Sequence, residues 1–224
     1  MRITKRLTAV ILIMAMALSV VLTGCGSSDS RLSMRVSIDG HQFSPGCKVS
    51  DILDAGFTLA DTDHVSTMMT ESPVIPARTV VTSGLYIFKN GEPSHVEIFV
   101  YNKTVNDLDL KDCSVYEFKY DAGVYAQDAA DDNCLKVLFN DIDMRFTDRK
   151  KVIEELENQG FKFKDDEKTD FFKDGDAYST YIISATNTAG HSLDITNDYN
   201  YESGTRFVNG FDCRLKVSYD TSGA

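Results

Sequence analysis

Apolar and polar residues alternate over positions 34–38 (Met34, Val36 and Ile38 on one side), the two-residue period of a half-buried strand. Asp39-Gly40 follows as a hairpin turn signal, and a second strand around 42–43 leads into a short helix over 49–54. Val49, Ile52 and Leu53 would form the inward face of that helix, and Gly56 suits the left-handed residue that ends it. Further on, 85–89 and 95–101 flank Asn90-Gly91 as a hairpin, and a last strand covers 113–120. Strict alternation in this last strand sets Val115 against Tyr116, Phe118 and Tyr120, so both of its faces are expected to be covered.

The pattern then returns. Leu135-Lys136-Val137-Leu138-Phe139-Asn140-Asp141 matches Met34-Arg35-Val36-Ser37-Ile38-Asp39-Gly40, Gly160-Phe161 matches Gly56-Phe57, and Asp212-Cys213 matches Asp112-Cys113. These markers keep their order at separations of 101, 104 and 100 residues, which reads as an internal duplication. In the second copy a helix is expected over 149–159. Val152, Ile153 and Leu156 share its inner face, Thr147 or Asp148 caps it, and Gly160 stops it. Strands follow at 178–185 and 192–196 around Ala189-Gly190, and at 211–219. The expected fold is α+β: two tandem units, each a mostly antiparallel sheet in the order β-β-α-β-β-β-β with one short helix. The units span 34–121 and 134–224, joined by an Ala- and Asp-rich linker over 122–133. Positions 61–78, with Met68-Met69, Pro73 and Pro76, lack the periodicity and are expected to be a loop offering a variable contact surface.

The amino terminus has a different pattern. Arg2, Lys5 and Arg6 precede an uncharged, mostly apolar run of 16 residues from Leu7 to Leu22. That is short for a spanning helix, which needs about 20 residues, and fits the apolar region of an export signal. Leu22-Thr23-Gly24-Cys25 closes the segment and resembles the lipobox of bacterial lipoproteins. The resemblance implies that residues 1–24 are removed and that the Cys25 thiol carries a diacylglyceryl group. Two acyl chains hold stably where one holds marginally, because each buried methylene contributes about 0.8 kcal/mol. Residues 25–33 would then be a short polar tether to the membrane.

Charge narrows the partners. The chain carries 23 Lys+Arg against 34 Asp+Glu, a formal net charge of -11. Without the first 24 residues the balance is 20 against 34. Nucleic acid is therefore not an expected partner, since phosphate binding requires clustered cations. A hydrophobic content of 42%, with 13 Phe and 10 Tyr, excludes a disordered chain.

An exported chain can keep disulfides, so Cys47, Cys113, Cys134 and Cys213 are candidate disulfide cysteines. Four cysteines allow three pairings, and the sequence does not choose among them; 47 with 113 and 134 with 213 would pair within each copy. Buried thiols in strands are the equally good alternative for Cys113 and Cys213. None lies in C-x-x-C, so redox catalysis has no support. No metal site is expected: His41, His64, His95 and His191 form no H-x-x-x-H, and His95 and His191 read as exposed residues at strand starts. The acidic pairs Asp61/Asp63, Asp107/Asp109, Asp141/Asp143 and Asp174/Asp176 lack the full calcium-loop pattern and read as turns and solvated surface. No serine-nucleophile, phosphate-loop or dinucleotide glycine motif occurs, so no catalytic residue and no cofactor is expected.

Taken together, Leu22–Cys25, the Gly-Phe steps at Gly56 and Gly160 and the Asp-Cys strands at Cys113 and Cys213 resemble those of small surface lipoproteins of Gram-positive, clostridia-like bacteria. The resemblance implies an outward-facing, membrane-anchored protein and no particular activity; behind an outer membrane, Gly26 rather than Asp after the cysteine would permit sorting there. The expected role is a non-catalytic binding or interaction module for an unknown protein or small molecule, with the groove between the copies as its contact surface. The alternatives are an envelope-acting enzyme using a carboxylate pair or a thiol, and a purely structural envelope component.

Overall fold

The computed structural model describes residues 34–61, 69, 72–121, 135–145, 147–164, 167–173, 176–186, 190–200 and 205–215. The expected leader, tether and linker and the 62–68 part of the proline-containing loop lie outside them, as do Cys25, His64 and Cys134. The described residues fall in one compact unit.

The first half contains β1 (Val36–Ile38), β2 (His41–Phe43), α1 (Val49–Asp54), β3 (Thr58–Ala60), β4 (Val74–Ile75), β5 (Thr79–Val80), β6 (Leu85–Lys89), β7 (Glu92–Asn102), β8 (Leu108–Asp109), a 3-10 turn (Leu110–Asp112) and β9 (Ser114–Asp121). The second contains β10 (Val137–Phe139), β11 (Ile142–Asp143), α2 (Arg149–Asn158), β12 (Glu167–Lys173), β13 (Asp176–Thr186), β14 (Ser192–Asn200) and β15 (Thr205–Arg214). The fold is α+β, rich in antiparallel sheet. A four-stranded sheet has the order β11-β10-β1-β2. A nine-stranded sheet runs β12-β13-β14-β15-β9-β7-β6-β3, with β5 beside β7, and β4 pairs with β8.

Local chemistry accounts for the short elements. The hairpin turns Asp39-Gly40, Asn90-Gly91 and Asn140-Asp141 all take positive φ (48° and 79°, 54° and 87°, 48° and 67°), the tight-turn geometry that matches strand twist and favours Asn, Asp and Gly. The Asp51 carboxylate accepts the Lys48 backbone N–H at 2.8 Å at the start of α1. Asp148 caps α2 by accepting from the Lys150 and Lys151 N–H groups, while the Thr147 hydroxyl donates to the Asp143 carbonyl. Gly56 and Gly160, at φ 87° and 96°, follow the two helices.

Three expectations fail for identifiable reasons. Val115 and Phe118 are both fully buried, because the β7–β9 register slips between Phe99 and Val100 and leaves Tyr116 as the extra residue of a bulge. Val115, Phe118 and Tyr120 thus share the buried face, and Tyr116 lies on the other with Phe99 and Tyr101. Leu53 is not an inward residue of α1: it is 38% exposed, whereas Val49 and Ile52 are buried. His95 is buried within β7, turned there by a φ of 56°.

The two halves are joined directly by strand pairing. β1 pairs β10 (Val36 with Phe139, Ser37 with Leu138, Ile38 with Val137), and β9 pairs β15 from Glu117–Arg214 to Asp121–Gly210. One core runs through both halves. Phe211 brings its ring to 5.5 Å from Tyr120 and 5.1 Å from Phe139, and Phe139 meets Phe161 at 6.0 Å.

Candidate functional site: the charged seam and a cleft in the first half

β9 and β15 each alternate, and their polar sides coincide. Phe211 and Cys213 point into the core while Asp212 and Arg214 point out; across the seam Phe118 and Tyr120 are buried and Glu117 and Lys119 face outward. Cross-strand register then lines up Asp194, Asp212, Lys119 and Glu97 in one row and Arg214, Glu117 and Phe99 in the next. Gly210 permits the close pairing: a Cβ there would lie 2.5 Å from the Tyr120 carbonyl oxygen.

The charges in this strip are unevenly matched. The Arg214 guanidinium donates to Asp194 at 2.6 Å and lies 3.3 Å from Asp212 Oδ2. Lys119, the cross-strand partner of Asp212, has its ammonium 3.9 Å from Glu97 instead. Asp212 Oδ1 is buried without a hydrogen-bond partner. Burial, then the neighbouring Glu117 charge, push the Asp212 carboxyl up to about 7 against the opposing pull of Arg214. Glu97 is raised as well, by burial first, with Lys119 opposing. On the same face the Tyr116 ring contacts those of Phe99 and Tyr101 at 6.2 and 6.1 Å.

A second feature lies in the first half. Val49 and Leu53 of α1, Leu59 of β3, Met69, Leu110 and Lys111 line a cleft of about 230 Å³ with a largely apolar wall.

The cysteines form no reactive centre among the described residues. Cys47, Cys113 and Cys213 are free thiols, so the 47–113 pairing is not formed. Cys47 and Cys113 sit on neighbouring segments joined by the Lys48–Ser114 bridge, but the Cys113 thiol is directed at the Asp109 carbonyl oxygen, 3.6 Å away. Burial and then Asp51 push the Cys47 thiol up to about 12. Burial likewise raises Cys113, with Asp112 and Asp109 adding to it, and raises Cys213, where Asp212 adds. A raised thiol is poor in thiolate, the form that attacks electrophiles and binds metals.

Of the acidic pairs, Asp107 accepts from the Ala77 N–H, Asp143 from the Arg145 N–H, and Asp141 pairs with Arg35. These are turn and surface roles. No group of three or more His, Cys, Asp or Glu among the described residues is arranged to hold a metal ion, and no helix among them is long and apolar enough to cross a membrane. The sequence reading missed Asp212, Glu117, Asp194, Arg214 and Gly210 as a group. The alternation Phe211-Asp212-Cys213-Arg214 was visible, but the pairing of β15 with β9 that gathers them was not. No protein-family model, curated protein or solved structure matches the chain.

Proposed function

We propose that the chain is a lipid-anchored, outward-facing membrane lipoprotein that works as a non-catalytic binding or interaction module, built from two tandem β-β-α-β-β-β-β units. Its location rests on Leu22-Thr23-Gly24-Cys25 and on the resemblance to clostridia-like surface lipoproteins, with Cys25 as the acylated residue. The two-unit reading is supported by strand order: outward from the seam, β9-β7-β6-β3 answers β15-β14-β13-β12. It is supported also by matched hydrogen bonds. Asp39 N donates to Lys136 O and Asn140 N to Arg35 O, both at 2.8 Å, and Phe57 N donates to Ile52 O as Phe161 N does to Leu156 O.

The observation that carries the binding role follows from that match. With Ile52 equivalent to Leu156, the next residue is Leu53 in one half and Glu157 in the other. Glu157 is exposed, as a solvent position requires; Leu53 is an exposed apolar group on the wall of the cleft. An apolar residue kept where its counterpart is charged suits a contact with a partner side chain or a small apolar molecule.

A thermal-shift screen of the mature protein tests this. A ligand that binds the folded form raises Tm, and the rise is expected to vanish in Leu53→Glu, which copies the second half. A shift that survives Leu53→Glu would move the site elsewhere, and no shift with any compound would favour the structural role. The anchor is tested separately: Cys25→Ala is expected to lose incorporation of labelled fatty acid and to leave the membrane fraction. Unchanged fractionation would sink the location. The enzymatic alternative draws on the Asp212–Glu117 carboxyls, since a carboxyl titrating near neutrality beside a second one is a common general-acid arrangement. The raised thiols of Cys47, Cys113 and Cys213 speak against its thiol form.

A further inference from the structure

The two halves of the nine-stranded sheet meet along five register pairs, Gly210–Arg214 against Glu117–Asp121, and Asp212 sits in the middle of that seam. Four carboxyl groups and two cations face one another there. β9 contributes Glu117 and Lys119, β14 contributes Asp194, Arg214 is two residues along on β15, and Glu97 of β7 lies beyond Lys119. The cations do not reach Asp212 Oδ1: Arg214 is closest to Asp194 and also lies 3.3 Å from the other Asp212 oxygen, Oδ2, and Lys119 is near Glu97. An ionised carboxylate is an acceptor only. With both Asp212 and Glu117 ionised, the buried Asp212 Oδ1 has no donor and faces a like charge.

One proton resolves both defects. On Asp212 Oδ1 it makes that oxygen a donor toward the Glu117 carboxylate and removes one negative charge from the strip. We propose that Asp212 and Glu117 share a proton across the β9–β15 seam and act as a pH-sensitive latch between the two halves of the molecule. Below neutrality the pair is a hydrogen-bonded carboxyl–carboxylate that closes the seam; above it the proton is released to water and the two carboxylates repel across the junction.

The sign follows from linkage. The folded chain holds this proton up to about pH 7, whereas an unfolded aspartate releases it near 3.9. The latch therefore contributes stability that is complete below the unfolded value, declines as pH rises between the two values and is lost above the folded one. Burial raises Glu97 in the same strip as well, so the wild-type profile alone does not single out Asp212. The histidines remain, so the difference between variants is the reading that decides.

The experiment uses the mature protein, melted between about pH 5.5 and about pH 8.5, with carboxyl carbon NMR over the same range. Wild type is expected to lose several degrees of Tm as pH rises from about 5.5 and to level off above about 7. Asp212→Asn, whose amide can donate to Glu117 permanently, is expected to hold its acid-side Tm throughout. Glu117→Gln is expected to flatten the profile too, by removing the charge that Asp212 opposes. One carboxyl resonance should titrate near neutrality in wild type and be missing from Asp212→Asn. The proposal is overturned if the decline persists unchanged in the variants that fold, or if the Asp212 carboxyl titrates wholly below about pH 5. If neither variant folds, the wild-type resonance decides, assigned through its backbone correlations.

Discussion

The two junctions between the halves join the same partners by different physics. At β1–β10, Val36, Ile38, Val137 and Phe139 are buried, and the turn backbones exchange hydrogen bonds across the pair. Asn140, also buried, accepts from Arg35 N at 2.8 Å and donates to Gln159 at 3.1 Å. Where water is excluded this junction is apolar or neutral apart from the Arg35 guanidinium, whose Nε is buried without a hydrogen-bond partner. At β9–β15 the inner side is as well packed, by Phe118, Tyr120, Phe211 and Cys213, but the outer side confines more acids than cations and leaves Asp212 Oδ1 without a partner. Buried neutral groups with full hydrogen bonding are indifferent to pH, whereas a buried, half-satisfied carboxylate is not. One junction is built to hold, the other to respond.

The strongest way to break that contrast is to damage the first junction alone. Phe139 is fully buried against Phe161 and Phe211, so Phe139→Ala should cost about 3–5 kcal/mol by lost transfer energy and cavity formation. The contrast predicts equal Tm loss at acid and alkaline pH, measured by thermal melts across the range. A loss that grows on one side would mean the two junctions are coupled. Gly210→Ala attacks the second. Its Cβ would meet the backbone oxygen of Tyr120, and the strand shift required should cost about 1–3 kcal/mol. Opening the seam also admits water to Asp212, so the pH dependence of Tm should shrink along with Tm. A stability loss with the full pH dependence retained would show that the carboxyl pair does not depend on close pairing of the strands.

How much of this was legible depends on the range of the interaction. Helix α1, the tight turns at Asp39-Gly40 and Asn90-Gly91, and the Asp148 cap are decided by residues within a few positions of one another, and the sequence pattern places them. The bulge at Tyr116 escaped because it is set by the partner strand, whose register slips opposite it. The first β9 reading, with apolar residues on two faces, was the visible trace of that slip. Pairing of β15 with β9 and of β10 with β1 brings together residues roughly a hundred positions apart, which no local period encodes. The joining of the two halves into shared sheets escaped for the same reason, since alternation shows that strands have a buried side but not which strands share a sheet. The charged seam was hidden twice over: its acids look like ordinary outward residues of an alternating strand, and only the cross-strand register makes them neighbours.

The finest test of the contrast removes charge from the junction that is said not to use it. Arg35 and Asp141 form an ion pair across the β1–β10 side at 2.9 Å, with side chains 42% and 60% exposed. Solvent screens such a pair, and its two long-range partners lose side-chain freedom in making it. Arg35→Met keeps much of the apolar stem and deletes the charge, and should change stability by about 0.5 kcal/mol or less. That small change should fade further in high salt and leave the pH profile between about 5.5 and about 8.5 unaltered. Melts of this variant at low and high salt, set beside Asp212→Asn, separate an exposed charge pair on one junction from a half-buried one on the other. If Arg35→Met altered the neutral-range profile as much as Asp212→Asn, the pH response would belong to the net charge of the whole chain and not to the seam.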